Sequence, residues 1–590
     1  MGCGTTATGA TARETKASAD AKAGPKIRPS KNGRWRALVL VLVHALVAIH
    51  IAHWMSSGSS LSPLEPSEAM EFAKHGIVNA GLIFFGLTIL STLVLGRWFC
   101  GWACHVVALQ DLCLWVLKKL GIRPRPLRSR LLAFVPALAA LYMFAYPFIT
   151  NWAQVFGGAS KHLALTKQDF WETFPPWPVA LATFLVCGFA IVYFLGAKGF
   201  CTYACPYGAI FGLADRFAVG RIRVTDACEG CAHCTATCTS NVLVHEEVRL
   251  HGMVVDPGCM KCMDCVSVCP KNALYYGFGA PSLRTPAAQR AKATFTLREE
   301  LLLGAFFVLT FFVFHGLYGV VPFLLALGIA GILAYCFFTL ARSWGRAELV
   351  FCGRRLKSGG KLTRSGTAFV LVMAVVAAST IHSALIQGHS RSSARKFAAT
   401  EELQYASLLD PGRRPTPEEL AQIQGGLSSA RFVERHGLLS TRKNRIELAW
   451  FHLLAGQPGA FERHLREAAA APKAHHLQLD LGQFYEARGR IDEAITAYEA
   501  SLDRETSPKI FDRLARLLWT SGRAEEALDV YRRAVEWNPD NPDLVFNLGV
   551  SQFALARVDD AVASFRRVLE LDPGRVDAQE NLADLLALER

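Results

Sequence analysis

The chain has 590 residues, 52% hydrophobic and 19% charged, with a formal net charge of +14. That apolar bias excludes an ordinary soluble protein, and the length allows several domains. The positive surplus does not point to nucleic acid, because much of it sits in short segments beside apolar stretches, as the positive-inside rule expects.

Residues 1–36 are rich in Ala, Thr, Gly, Lys and Arg, lack apolar periodicity and read as a disordered basic tail. MGCGTT formally matches an N-myristoylation pattern, with Cys3 beside it; a chance match is the preferred reading. Apolar stretches follow near 37–55, 76–96, 131–150, 178–197 and 368–387, each about the length that crosses a bilayer. The uncharged run from Leu301 to Ala341 is too long for one span, and His315-Gly316 and Pro322 divide it into spans near 300–318 and 321–341. Arg34, Arg36, Arg97, Lys118, Lys119, Arg123, Arg125, Arg128, Arg342, Arg354 and Arg355 flank alternate ends of these spans. Glu65, Glu68, Glu71, Asp169 and Glu172 occupy the other loops. This asymmetry places the N-terminus inside and the C-terminus outside the membrane. No small-residue cleavage site clearly follows the first span, so it reads as uncleaved.

Two motifs end membrane spans: RWFCGWACH at 97–105 and KGFCTYACP at 198–206. A shift of 101 residues lays Phe99 on Phe200, Cys100 on Cys201, Ala103 on Ala204 and Cys104 on Cys205. Parallel repeats of this kind build sites where the two copies meet. If each CxxxC opens a helix, its cysteines share one face with Cβ atoms about 5–6 Å apart. A disulfide wants about 3.8 Å, so the expected product is four free thiols suited to a redox relay or a further metal or cluster. The plain alternative is packing, since free cysteine is commonly buried. His105 adds a candidate ligand or proton carrier to the first motif.

CEGCAHCTATCT at 228–239 and CMKCMDCVSVCP at 259–270 are each C-x2-C-x2-C-x3-C. This run binds 4Fe–4S clusters in two-cluster ferredoxins, its fourth cysteine reaching the other cluster. On that rule Cys228, Cys231, Cys234 and Cys269 hold one cluster, and Cys259, Cys262, Cys265 and Cys238 the other. The proline that usually follows the fourth cysteine is present as Pro270 and replaced by Thr239 in the first run. Zinc ribbons fit the close spacing of four cysteines poorly.

After a polar connector, Gly489, Gly522 and Ala556 recur at spacings of 33 and 34. Ala494, Ala527 and Ala561 do the same, as do Tyr498, Tyr531 and Phe565. Small residues at helix crossings with an aromatic four positions on resemble the tetratricopeptide repeat, a stacked helix-pair solenoid. The expected architecture is a polytopic α-helical membrane protein with an inserted two-cluster ferredoxin-like domain and an all-α tetratricopeptide solenoid. Its parts are a tail at 1–36, a membrane domain at 37–219, a ferredoxin segment at 220–280, further spans at 281–390, a linker at 391–442 and repeats at 443–590.

The pair of CxxxC motifs followed by a double 4Fe–4S segment resembles the polyferredoxin-type membrane proteins over roughly residues 37–280. Those include quinol-dehydrogenase subunits of periplasmic nitrate reduction, the membrane regulator of nitrous oxide reduction and a cytochrome-oxidase assembly ferredoxin. The family pattern is CxxxCP twice; Cys201, Cys205 and Pro206 match it, whereas Cys100 and Cys104 precede His105. The resemblance implies electron transfer between the quinone pool or a cytoplasmic donor and a redox partner. It implies a bacterial inner (cell) membrane, and the charge topology then places the ferredoxin segment in the cytoplasm and the repeat array outside, where it would dock a protein. The alternative is a maturation factor, its clusters the reductant and its array the dock for a client metalloenzyme.

Other residues are weaker candidates. His44, His50, His53, His315 and His382 lie on apolar spans, where ionisable groups are functional suspects, and paired histidines ligate haem; packing or a proton path is the simpler reading. Glu65 and Glu68 are candidate proton acceptors for a quinol, or plain solvated helix-cap carboxylates. Cys113, Cys187, Cys336 and Cys352 stand alone and read as structural. Trp54, Trp98, Trp102 and Trp115 read as an interfacial belt.

Overall fold

The computed structural model describes residues 28–122, 124, 129–152, 155, 163–167, 176–282, 295–470, 474–502 and 507–588. Cys3, Arg123, Arg125, Arg128, Asp169 and Glu172 lie outside them. The chain divides into two compact units, one ending at Ile381 and one beginning at His382.

The first unit opens with α1 (Lys31–Ser57), apolar almost all round, capped by Ser30, whose Oγ accepts from Gly33 N, and closed by left-handed Gly58. The end of the expected tail is therefore helical, and it is tied down. Ser30 Oγ donates to Asp264 Oδ1 at 2.6 Å, Asn32 Nδ2 donates to Met263 O, and Arg36 pairs with Asp111 at 3.0 Å. Composition hid this because those anchors lie more than 70 positions away.

A helical segment, Pro66–Ala69 and then Met70–His75, precedes α2 (Ala80–Leu95). With 16 residues α2 is only about 24 Å long. Gly81 has no room for a side chain, because a Cβ there would lie 2.3 Å from Glu68 Cβ. The acidic loop is thus folded onto the start of the helix. Two short helices follow, α3 (Trp98–Trp102) and α4 (His105–Lys119). The second copy repeats this order after α5 (Leu132–Thr150) and α6 (Trp177–Leu195), as α7 (Gly199–Tyr203) and α8 (Pro206–Phe217). Both α5 and α6 contain a π-helical stretch, at Leu141–Ala145 and Phe184–Ala190.

Strands β1 (Gly220–Val224) and β2 (Leu274–Phe278) pair antiparallel, Ile222 opposite Tyr276, and bracket the double cysteine run. Between them lie α9 (His233–Thr237), α10 (Val244–His251) and α11 (Asp264–Ser267). Then α12 (Leu297–Phe314) turns through left-handed Gly316 into α13 (Phe323–Gly345). A three-stranded hairpin sheet, β3 (Leu349–Phe351), β4 (Arg354–Ser358) and β5 (Lys361–Leu362), leads into α14 (Arg364–Ala399). Among the described residues α1, α5, α6, α13 and α14 are long and apolar enough to cross a membrane, while α2 is apolar but shorter.

The second unit is all helical. Residues 391–442, expected as a linker, instead contain α15 (Glu401–Leu409) and α16 (Pro417–His436). A Thr416–Glu419 capping box starts α16. Its Ile423, Leu427 and Ala430 pack on Leu448 and Phe451 of α17 (Arg442–Leu454). Its Gly-Gly and Ser-Ser pairs thin the apolar stripe, and Gly426 is there because a Cβ would meet the Phe451 ring at 2.3 Å. The array continues as α18 (Pro458–Ala469), α19 (His475–Glu486), α20 (Ile491–Leu502) and α21 (Pro508–Thr520). It ends with α22 (Ala524–Trp537), α23 (Pro542–Ala554), α24 (Val558–Leu571) and α25 (Val576–Leu588). Ala494, Ala527 and Ala561 are wholly buried at the helix crossings, each with its aromatic Tyr498, Tyr531 or Phe565 packed behind it.

Gly489, Gly522 and Ala556 stand at equivalent corners with φ of 70°, 79° and 58°. Only glycine takes this left-handed conformation without a steric cost of about 1–2 kcal/mol. Ala556→Gly is therefore expected to raise the stability of the repeat array by about 0.5–1 kcal/mol after the added unfolded-state entropy. Thermal unfolding of the two full-length proteins checks this, and a lower melting temperature for the variant would refute it.

Burial pushes the Asp480 carboxyl on α19 up to about 7. A raised folded value means that its contribution is fully present below the unfolded carboxyl range and lost as pH rises toward 7. Asp480→Asn should stabilise the array at pH 8 and do little at pH 4, as read from melting curves at the two pH values.

Candidate functional site

The two cysteine runs are copies 31 residues apart, and the backbone repeats with them. Gly230 and Lys261, Ala232 and Met263, and Asn241 and Asn272 all have positive φ, between 50° and 70°. These left-handed residues stand at the same places in both runs, between the first three cysteines and after the fourth. One small cavity is lined by Cys228, Cys231, Cys234 and Cys269. Cys238 interacts electrostatically with Cys259, and Cys265 with Cys259, Cys262 and Cys238. The fourth cysteine of each run thus faces the other run. Cys265 also interacts with Cys234, so the two groups adjoin within one apolar cluster that includes Ile222, Val242 and Val254.

Burial pushes the Cys234 thiol up to about 11 and Cys238 up to about 12. Bare thiols here resist ionisation, and the donor set suits a soft group that stabilises thiolate. Among the described residues no three His, Cys, Asp or Glu side chains converge closely enough for a single metal ion.

The CxxxC motifs are not continuous helices. Cys100 lies inside α3 and Cys201 inside α7, while Cys104 and Cys205 are extended N-cap residues of α4 and α8, with φ/ψ of −78°/122° and −78°/111°. The face-sharing geometry expected of one helix does not apply, because the chain breaks between the two cysteines. The four thiols nonetheless gather. Cys104 interacts with Cys100 and Cys201, and Cys205 with Cys104 and Cys100. Arg97 Nε donates to Cys100 Sγ at 3.1 Å, and Cys201 Sγ donates to Gln110 Oε1 at 3.4 Å. His105 begins α4 and is exposed.

This thiol centre is docked directly on the second cysteine run. Gly101 leaves no space for a Cβ, which would lie 2.2 Å from Met260 O. Trp102 Nε1 donates to Lys261 O at 2.9 Å, and Met260 packs with Cys100, Cys201 and Phe99. Trp102 is therefore a docking residue rather than part of a lipid belt. Buried Asp215 of α8 joins the parts: Oδ1 accepts from Arg97 N and Lys261 Nζ, both at 2.8 Å, with Arg221 Nη1 3.8 Å from Oδ2. An ion pair across the 101-residue repeat joins Lys198 to Asp111.

The opposite side of the centre is closed by the acidic loop. Ala69 belongs to the cluster holding Cys100 and Cys201. The Tyr207 hydroxyl is set against Ser67, Glu65, Glu68 and Cys205. Glu65 Oε2 accepts from Ser67 Oγ at 3.0 Å, and the Tyr207 ring meets Phe85 and Phe144 edge-on. Sequence reading missed Tyr207, Asp215, Arg97 and Lys261; an aromatic residue two places after Cys205 carried no recognisable pattern. His44, His50 and His382 each hydrogen-bond a backbone carbonyl, and His315 stacks on Phe311. Cys113 and Cys187 pack against Gly188 and Gly328, and Cys336 packs with Leu349 and Phe351.

Comparison with known proteins finds three families along the chain. A 4Fe-4S binding domain family matches residues 79–123 and 177–225, the two CxxxC repeats, and a 4Fe-4S dicluster domain matches 220–270. A tetratricopeptide repeat family matches 459–508, 513–576 and 546–589. The chain is 27% identical over 36% of its length to the ferredoxin-type protein NapH of Haemophilus influenzae, covering 74% of that protein. It is 30% identical over 30% of its length to the methylamine utilization ferredoxin-type protein MauN of Methylorubrum extorquens, covering 60% of it. An uncharacterized protein of Methanocaldococcus jannaschii is 27% identical over 35% of this chain and 76% of its own. A tetratricopeptide repeat protein from Parabacteroides merdae is similar over 24% of this chain and 58% of its own, at 24% identity and a TM-score of 0.22. The resemblance to the polyferredoxin-type proteins holds. The chain combines 4Fe–4S binding domains of the ferredoxin type with a tetratricopeptide array, and its class of work is iron–sulfur electron transfer.

Asp215→Asn leaves the buried Lys261 and Arg221 without their counter-charge. Breaking a buried pair costs about 3–5 kcal/mol, so the variant is expected to melt markedly lower in detergent. An unchanged melting temperature would remove Asp215 from the centre of the assembly.

Proposed function

We propose that the protein is a membrane-bound electron-transfer subunit that draws electrons from quinol at the CxxxC centre and delivers them to a redox partner. The observation that carries this reading is the docking of Met260 and Lys261 on Gly101 and Trp102, which puts the thiol centre against the second cysteine run. Cys228, Cys231, Cys234 and Cys269 would hold one 4Fe–4S cluster, and Cys259, Cys262, Cys265 and Cys238 a second. When bound, each cluster exchanges one electron.

The remaining roles belong to the chain's own side chains. Oxidation of a quinol to a quinone releases two electrons and two protons. Glu65 and Glu68, beside Tyr207, are two carboxylates available for those protons. Arg97 fixes the Cys100 sulfur in place through its Nε–H···Sγ hydrogen bond. Cys100, Cys104, Cys201 and Cys205 then serve as a thiol relay or hold a further metal or iron–sulfur cluster. The ferredoxin segment faces the cytoplasm in this reading, and the helical array lies on the outer side. There its groove, lined by His476, Glu486, Lys509, Arg513 and Arg516, receives a protein partner.

Two measurements test the reading. Cys269→Ser and Cys238→Ser should each lower bound iron by about half, in different clusters distinguishable by electron paramagnetic resonance. Loss from the same cluster in both would overturn the crossed assignment. Anaerobic quinol should bleach the iron–sulfur absorbance of the wild type but not of Cys100→Ser, and should do so more slowly in Glu65→Gln/Glu68→Gln. Bleaching by dithionite alone would overturn quinol as donor and favour the maturation role with a cytoplasmic donor.

A further inference from the structure

A cavity of about 380 Å³ opens between the second membrane repeat and the loops of the cysteine runs. It falls within the roughly 300–1,000 Å³ range of small-ligand sites. Its lining includes buried Cys201, Gly208 and Met260 and three arginines, Arg97, Arg130 and Arg216.

The charges inside are unevenly committed. Arg97 is buried and engaged, through Nε with Cys100 Sγ and through Nη1 with Pro257 O at 3.4 Å. Arg130 and Arg216 are exposed, and neither guanidinium has an ion-pair or hydrogen-bond partner among the described residues. The acids in the wall are turned to backbone: Glu247 Oε2 accepts from Val255 N and Asp256 N at 2.9 Å, and Asp256 Oδ1 from Gly258 N at 2.7 Å. Glu300 likewise accepts from Ser129 Oγ, Arg130 N and Leu131 N. Among the described residues the cavity thus presents two guanidinium groups without an ion-pair partner from separate elements, the turn leading into α5 and the last turn of α8. Planar guanidinium forks suit phosphate oxygens.

The place narrows the ligand further. Arg130 lies two residues before the start of α5, and exposed Leu213 of α8 lines the same cavity. Basic pockets at the ends of membrane helices bind anionic headgroups. We propose that this cavity binds a phosphate ester, with the phosphate between Arg130 and Arg216 and the rest of the headgroup directed toward Met260. A ligand there touches both the membrane repeat and the Ser240–Met260 loops, and so clamps the second cysteine run onto the thiol centre.

The test uses full-length protein in neutral detergent with phosphatidylglycerol, phosphatidylcholine or glycerol 3-phosphate added, read by native mass spectrometry and thermal melting. Phosphatidylglycerol is expected to bind and to raise the melting temperature more than phosphatidylcholine does. Arg130→Gln/Arg216→Gln should weaken this at least about tenfold. Arg354→Gln/Arg355→Gln, the same charge change on exposed β4, should leave it intact. An equal effect from glycerol 3-phosphate, lost in the same double variant, supports the phosphate site and assigns it to a soluble ester. Equal binding by the Arg130/Arg216 variant, equal loss in the Arg354/Arg355 control, or no binding of either phosphate compound would overturn the proposal.

Discussion

One buried carboxylate holds the first unit together. Asp215 is wholly excluded from solvent, yet its Oδ1 meets the amide that opens the first CxxxC and the ammonium in the middle of the second cysteine run. A buried charge is tolerable only when its partners are fixed around it. That requirement sets where Arg97, Lys261 and Arg221 lie. Gly96 completes the arrangement with φ of 69° at a position where a Cβ would meet Lys261 Cε at 2.5 Å. The thiol centre and the second cysteine run are therefore one assembly rather than neighbours.

Two internal repeats supply the rest of the site. The 101-residue repeat brings two cysteine pairs from its two copies in the first unit into one cluster, stitched by cross-repeat contacts from Arg97 to Asp215 and from Lys198 to Asp111. The 31-residue repeat crosses in the same way, each fourth cysteine facing the other run. Duplication followed by exchange of one element places every candidate ligand set between copies, so neither copy alone is complete. The acidic loop at Glu65–Ala69 then closes the thiol centre on the side away from the cysteine runs, against Tyr207.

Legibility followed the range of the interactions. The tetratricopeptide corners were readable because Gly489, Gly522 and Ala556 obey a local rule about positive φ, and Ala494, Ala527 and Ala561 about close helix approach. Residues 391–442 were misread because Gly425, Gly426, Ser428 and Ser429 dilute the apolar stripe of α16, whose packing depends on Phe451 of the next helix. The CxxxC pairs were found by spacing, but their break between α3 and α4 was not. Nothing local says that Cys104 is an N-cap rather than a helical residue.

The sequence by itself determined the chemistry: eight cysteines in two ferredoxin-type runs, four more in a duplicated CxxxC, an apolar chain and a helical repeat of 34. Each of these is written in short spacings that soft-ligand coordination, helix length or helix crossing imposes. Only the tertiary structure decided that Lys261 reaches Asp215, that Trp102 holds the second cysteine run, and that Glu65 and Glu68 lie beside Tyr207 instead of in open solvent. Those contacts join residues dozens to hundreds of positions apart. Their cause is the pairing and packing of groups that share one buried volume, which no local pattern records.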